Sequence, residues 1–163
     1  MALVDYFLKI DGIPGESMDT KHKDEIQVRS YKFGEAQAGT MAFGGGGGAG
    51  KVQMRDFQFT MTVNKASPKL FLACATGDHI QTAVFVGRKA GGKEQREFLK
   101  VVFTDVLVSS FETEGTESSG VLPTDVIALN FAAIEIEYKP QNADGTLGAA
   151  VKVKYDLKQM KAG

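Results

Sequence analysis

The chain contains a single cysteine, Cys74, among 163 residues. No intrachain disulfide is therefore possible, and a buried reduced thiol is the expected state of that residue. Only two histidines accompany it, His22 and His79, too few and too far apart for a structural zinc site with four Cys or His ligands. Charge of one sign is also missing. Nineteen Lys and Arg face twenty Asp and Glu, for a formal charge of −1. That balance argues against bulk electrostatic attraction to nucleic acid or an anionic membrane. No apolar run approaches the ~20 residues that cross a bilayer. The opening MALVDYFLKIDG has Asp5 and Lys9 inside its apolar stretch and no basic leader, so it does not read as a signal peptide. Synthesis and folding in the cytosol are expected, with any export by a route that reads no cleavable signal.

What the sequence does have is a period of two. Apolar and polar residues alternate in EIQVR (Ile26, Val28), FQFTMTV (Phe57, Phe59, Met61, Val63), AIEIEY (Ile134, Ile136, Tyr138) and VKVKYDLK (Val151, Val153, Tyr155, Leu157), the pattern of half-buried strands. Further strands are expected over 3–10, 80–88, 97–103 and 106–111. Two segments change phase: the apolar set moves from Ile26 and Val28 to Tyr31 and Phe33 across Ser30, and from Val52 and Met54 to Phe57 and Phe59. A one-residue slip exchanges the buried face, so these points predict bulges or corners of strongly curved sheets. One segment, SPKLFLACATG, predicts a helix capped by Ser67, opened by Pro68 and stopped by Gly77, with Leu70, Phe71, Cys74 and Leu72 as its apolar side. Turns are expected at 89–93, 112–120 and 142–145. The fold class is mainly β: one domain over 1–163, a small closed barrel or sandwich of two curved antiparallel sheets, one short flanking helix, and a long Gly-rich loop over about 34–50. A loop of that length inside a compact domain usually has a task.

Gly45, Gly50 and Lys51 satisfy the spacing of a phosphate-binding loop. Such a loop needs a following helix N-terminus and a Ser or Thr hydroxyl for magnesium. Here Val52 takes the hydroxyl position and the continuation reads as strand, so the match is an accident of a polyglycine run. Cys74 and His79 lie five apart, but a cysteine on a helix's apolar side is more often core than nucleophile. His22 with Asp19 and Asp24 offers at most a weak metal site, in a segment expected to be a solvated loop. No catalytic constellation and no cofactor or metal site is expected. The lysine-alternating last strand reads either as an edge protected by charge or as an ordinary solvated face.

The stretches YFLKIDGIPGES, GGGGGAGKVQMRDFQFT, NKASPKLFLACATGDHI, RKAGGKEQREFLKVVFTDVLVSSF and LNFAAIEIEYKPQNADGTLGAA occur in this order over nearly the whole chain. As a series they resemble the haemolysin-coregulated protein (Hcp) family, the tube subunit of type VI secretion. The resemblance implies a non-enzymatic protein that forms homohexameric rings and stacks them into a tube driven out of the cell by a contracting sheath. Its implied partners are its own copies, sheath and spike proteins, and small effectors held in the lumen. Nucleic acid and membrane insertion are not among them. Under this resemblance the loop residues Thr40, Met41, Phe43, Gly44, Gly45, Gly46, Gly47, Gly48 and Gly50 would contact the adjacent ring, their glycines allowing close backbone approach. Gln27, Arg29 and Lys32 would face the lumen and touch cargo, unless they are ordinary solvated strand residues. The alternatives are a phage-like tail-tube protein of another contractile particle and a monomeric ligand-binding barrel.

Overall fold

A computed structural model describes residues 4–39, 51–91, 94–118 and 120–163 of the chain. Strand β1 (Val4–Ile10) leads through a bonded loop into the short β2 (Ile26–Val28) and β3 (Ser30–Lys32). A small ribbon, β4 (Glu35–Gln37) with β5 (Val52–Met54), precedes β6 (Phe57–Thr62) and the helix α1 (Ala66–Thr76). Three long strands follow, β7 (His79–Gly91), β8 (Glu94–Glu114) and β9 (Thr124–Tyr138), then β10 (Val151–Asp156) and the two-residue β11 (Lys161–Ala162).

The pairing is antiparallel throughout and places β2, β1, β7, β8 and β9 side by side. On its far side β9 changes partner along its length. Thr124–Leu129 pair with β6, and Ala133–Tyr138 pair with β10. Strand β6 in turn carries β3. The sheet thus folds over on itself around Leu8, Phe57, Phe59, Phe85, Phe103 and Ile127, all without solvent exposure. Among the described residues it does not close into a barrel ladder. Between β2 and β3 the chain passes from β1 to β6 through Arg29, whose N–H donates to the Thr60 carbonyl at 2.8 Å. Of the two architectures expected, the sandwich-like one is formed.

Both expected phase changes occur. Ile26 and Val28 are buried, Arg29 and Ser30 are both exposed, and Tyr31 turns back to the core. Strand β5 ends at Met54, and Phe57 restarts the buried set after Arg55 and Asp56. Four expectations are corrected. The strands expected over 97–103 and 106–111 are one strand, β8. Asp105 between them takes a left-handed φ of 55°, yet Thr104 and Val106 keep one register with Ala133 and Phe131. The expected long loop contains structure, because the β4–β5 ribbon forms its base. The helix turns differently from its expected face. Leu70 and Ala73 are buried and Cys74 is half-buried, whereas Phe71 and Leu72 are exposed. The stripe 66–70–73 fits the helical spacing i, i+4, i+7, so Phe71 and Leu72 lie off it.

The helix start explains why Ser67 is not the cap. The Ala66 N–H donates to the Asn64 side-chain oxygen at 2.8 Å, so Asn64 satisfies the free amide. Ser67 instead donates its hydroxyl to buried Asp125 Oδ2 at 2.5 Å and accepts the Asn64 N–H at 3.0 Å. Gly77 closes the helix as expected, with φ 68° and its N–H on the Ala73 carbonyl. Ser67→Ala would strip a donor from a carboxylate that is wholly buried. We expect a stability loss of about 2 kcal/mol in chemical denaturation.

Candidate functional site

The residues singled out for a functional surface fall on the kink between β2 and β3. Gln27, Arg29 and Lys32 are all exposed. Arg29 and Lys32 belong to the outward side of the β3–β6–β9 quadrant. Ser30 and Thr60 share a hydroxyl hydrogen bond of 2.6 Å there, and Arg29 Nη1 donates to Thr124 Oγ1 at 3.2 Å. Lys32 stands opposite Gln58, which stands opposite Ala128. At the edge of this face, Asp56 accepts from Ser109 Oγ at 2.5 Å and from Asn130 Nδ2 at 2.9 Å. The result is a surface of short, mutually bonded polar groups with two cations. Gln27 lies on the other side of the kink, opposite Phe7 of β1. The structure therefore places Arg29 and Lys32 on one outward side, and Gln27 beyond the kink, where it lines a groove together with Arg29. The ring-contact candidates Thr40, Met41, Phe43, Gly44–Gly48 and Gly50 lie outside the described residues.

A second surface is apolar. On β10, Lys152 and Lys154 turn to Glu135 at 2.8 and 3.3 Å. Their alternates Val151 and Val153 are 64% and 61% exposed. Among the described residues only Tyr155 and Asp156 have a partner on the outer side of β10, in β11, which leaves the outer backbone of 151–153 as an open strand edge there. Val153 also lines a groove of about 420 Å³ with Phe33, Met54, Ile134, Ile136 and Tyr155. This groove runs between β9–β10 and the foot of the β4–β5 ribbon.

The chemical motifs resolve into structural roles. Lys51 is exposed and leads into strand β5, so the polyglycine run is not followed by the helix a phosphate loop requires. Cys74 packs against the core, while His79 is exposed with Nε2 3.2 Å from Asp105. The expectation for His22 is corrected. It is buried, not solvated. Its ring stacks on Phe7 at 4.5 Å and 8°, with Nδ1 3.0 Å from Glu25 and Nε2 2.8 Å from Glu97. Asp19 is committed as well, with Oδ2 on Arg88 at 2.6 Å and Oδ1 accepting the N–H groups of Lys21 and His22. Among the described residues no group of three or more His, Cys, Asp or Glu is placed to hold a metal.

This buried charged cluster escaped sequence reasoning, although one signal was available. In β1 both Phe7 and Leu8 are buried, and adjacent apolar residues in a strand require cover on both faces. The loop after β1 supplies that cover. Arg88, on the neighbouring strand, sits 4.7 Å above the Phe7 ring. The Arg88 hydrogen bond holds the Asp19 carboxyl at about 2, below its ordinary 3.8, against the opposing effect of burial. A carboxyl so depressed adds stability that is complete above its unfolded value and disappears as pH falls through the folded one. Asp19→Asn should lower stability near neutral pH by about 1–2 kcal/mol, discounted for solvent screening. Denaturation at a series of pH values should show the gap to wild type closing between about pH 4 and about pH 2.

Residues 7–138 match the family described as type VI secretion system effector, Hcp. The chain is 43% identical over 157 residues to protein hcp1 of Pseudomonas aeruginosa, covering 96% of each. Its structure superposes on Hcp1 of Salmonella typhimurium with a TM-score of 0.83 at 37% identity, covering 99% of this chain and 100% of that one. A type VI secretion system effector from Yersinia pestis gives 0.75 at 35% identity over 93% and 99%.

Proposed function

The chain belongs to the Hcp family of type VI secretion proteins, and from that premise we propose that it is the structural subunit of the secretion tube. In this reading its hexameric rings stack into the inner tube, shelter small effectors in the lumen, and leave the cell with the tube. Sheath and spike proteins are its partners, and it performs no catalysis. The observation that carries the reading is the open edge of β10, with two outward valines beside an apolar groove. An exposed strand edge flanked by valines invites pairing and burial against another surface. A second copy seated there, and a different patch of that copy left free, gives a head-to-tail contact that closes by rotation into a ring. Stable interfaces bury roughly 1,200–2,000 Å², within the means of a domain whose accessible surface is 10180 Å².

The quadrant carrying Arg29, Ser30, Lys32, Gln58 and Thr60 is the proposed lumen wall. Short hydroxyl and amide groups bonded to one another present a smooth hydrated surface, and Arg29 and Lys32 add two cations for cargo contact. Gln27, on the far side of the kink, is assigned to the rim of that wall. The loop 40–50 is the proposed contact to the next ring.

Light scattering after size exclusion across a dilution series tests this directly. The expected mass is six times the 17.5 kDa chain. Val153→Asp, which places a charge in the groove without touching the core, should give folded monomer with an unchanged circular dichroism spectrum. A monomer at every concentration for the unaltered protein, or a ring that survives Val153→Asp, would overturn the reading of this edge.

A further inference from the structure

The segment between β1 and β2 is bonded to itself. The N–H groups of Gly15 and Ser17 donate to the carbonyls of Asp24 and Glu25 at 2.8 and 3.0 Å, and the Asp24 N–H returns to the Ser17 carbonyl at 2.9 Å. Gly15 is pressed so close that a Cβ there would stand 2.5 Å from the Glu25 carbonyl oxygen. Residues 15–25 therefore behave as one piece. Side chains attach this piece to the outer face of the sheet: His22 stacks on Phe7 of β1, Asp19 bonds Arg88 of β7, and His22 reaches Glu97 of β8.

The His22 contacts have a proton requirement. Both ring nitrogens face carboxylate oxygens, and an ionised carboxylate only accepts hydrogen bonds. A neutral imidazole has one N–H and can serve one of them. Making both bonds takes two ring protons. The charged groups gathered at this point are Glu25 and Asp19 from the loop, Glu97 from β8, Asp5 from β1 and Arg88 from β7. Four carboxylates thus surround one guanidinium, which Asp19 and Asp5 share. The second ring proton of His22 supplies the remaining cation for Glu25 and Glu97.

We propose that residues 15–25 form a proton-gated latch, closed when His22 carries both ring protons and released from β8 when it loses one. Glu97 is the bond that opens, because its side chain is 45% exposed against 15% for Glu25, so water replaces the ring there at little cost. The Asp19–Arg88 pair and the stacking on Phe7 remain, and the piece loosens at its β8 end without detaching. The latch has a neighbour to act on. Glu16 and Ser17 form one wall of a surface groove of about 550 Å³ shared with Asp5, Gln27, Arg29 and Asn64. Glu16 also accepts the Lys65 N–H at 3.0 Å. The shape of that groove follows the latch.

Hydrogen–deuterium exchange of the full chain at about pH 5.5 and about pH 8 tests the proposal, once corrected for the intrinsic pH dependence of amide exchange. Amides of residues 17–25 should lose about tenfold in protection at the higher pH while the core strands do not. Glu97→Gln should remove the response, because its amide NH₂ can donate to the bare ring nitrogen of neutral His22. His22→Gln, which cannot gain a proton, should also show equal loop protection at both pH values. NMR titration of the His22 ring should track the loop amides in the unaltered protein. Equal protection at both pH values in the unaltered chain would overturn the latch. So would a Glu97→Gln variant that opens as the unaltered chain does, or a ring titration that leaves the loop amides unmoved.

Discussion

Phe57 is the contact on which the rest of the molecule depends. Its ring, fully buried, lies between 4.8 and 6.0 Å from those of Tyr31, Phe33, Phe59, Phe85 and Phe103. These rings come from both layers of the folded sheet, so the cluster holds the layers together, and tilted packing of this kind adds to plain burial. It also imposes a parity. Ile26 and Val28 must lie over Leu8 and Tyr6 of β1, whereas Tyr31 must reach Phe57. Residues 28 and 31 are an odd number apart, so a strand of strict alternation cannot serve both. The chain solves this by sending Arg29 and Ser30 outward together. The polar surface that carries Arg29 and Lys32 is a consequence of how the aromatic core is filled.

That parity is why much of the fold was legible. Alternation locates most of the strands, and its two slips locate the points where β2 becomes β3 and where β6 begins. The Gly77 stop is equally local, since a left-handed residue strongly favours glycine. What was illegible involves partners distant in sequence. Nothing near Ser67 reveals that its hydroxyl is required 58 residues on by Asp125. The facing of Phe71 depends on where Phe111 stands, 5.9 Å away. Asp105 interrupts the apolar pattern and suggested two strands, but a single left-handed residue lets the ladder continue on both sides.

The misreading of His22 follows the same logic. A run such as DTKHKDE looks solvated because each charge is costly to bury alone. Here the charges are not alone. Arg88 and Glu97 stand opposite each other on adjacent strands, and the loop brings Asp19 and His22 to them over the apolar floor of Phe7. The pairing partners lie about 70 residues from the loop, outside the reach of any local pattern. The cluster acts as a small second core on the outer face of β1, β7 and β8, built from ion pairs around one aromatic ring.

The two faces of the molecule are thus finished differently. The β1–β7–β8 side is covered by its own loop, whose charged side chains find their partners within the chain. The β9–β10 side stays incomplete: its lysines are satisfied by Glu135 within the chain, while its valines and the groove beside them are satisfied by nothing among the described residues. A protein that neutralises the charges of an edge and leaves its apolar residues outward has removed the usual protection against strand addition. Such an edge suits a surface that is meant to be covered. The covering contact can be specific, because the groove is bounded by the ribbon foot and β10, and the unbroken ladder from Val151–Tyr138 to Asp156–Ala133 holds the strand in register.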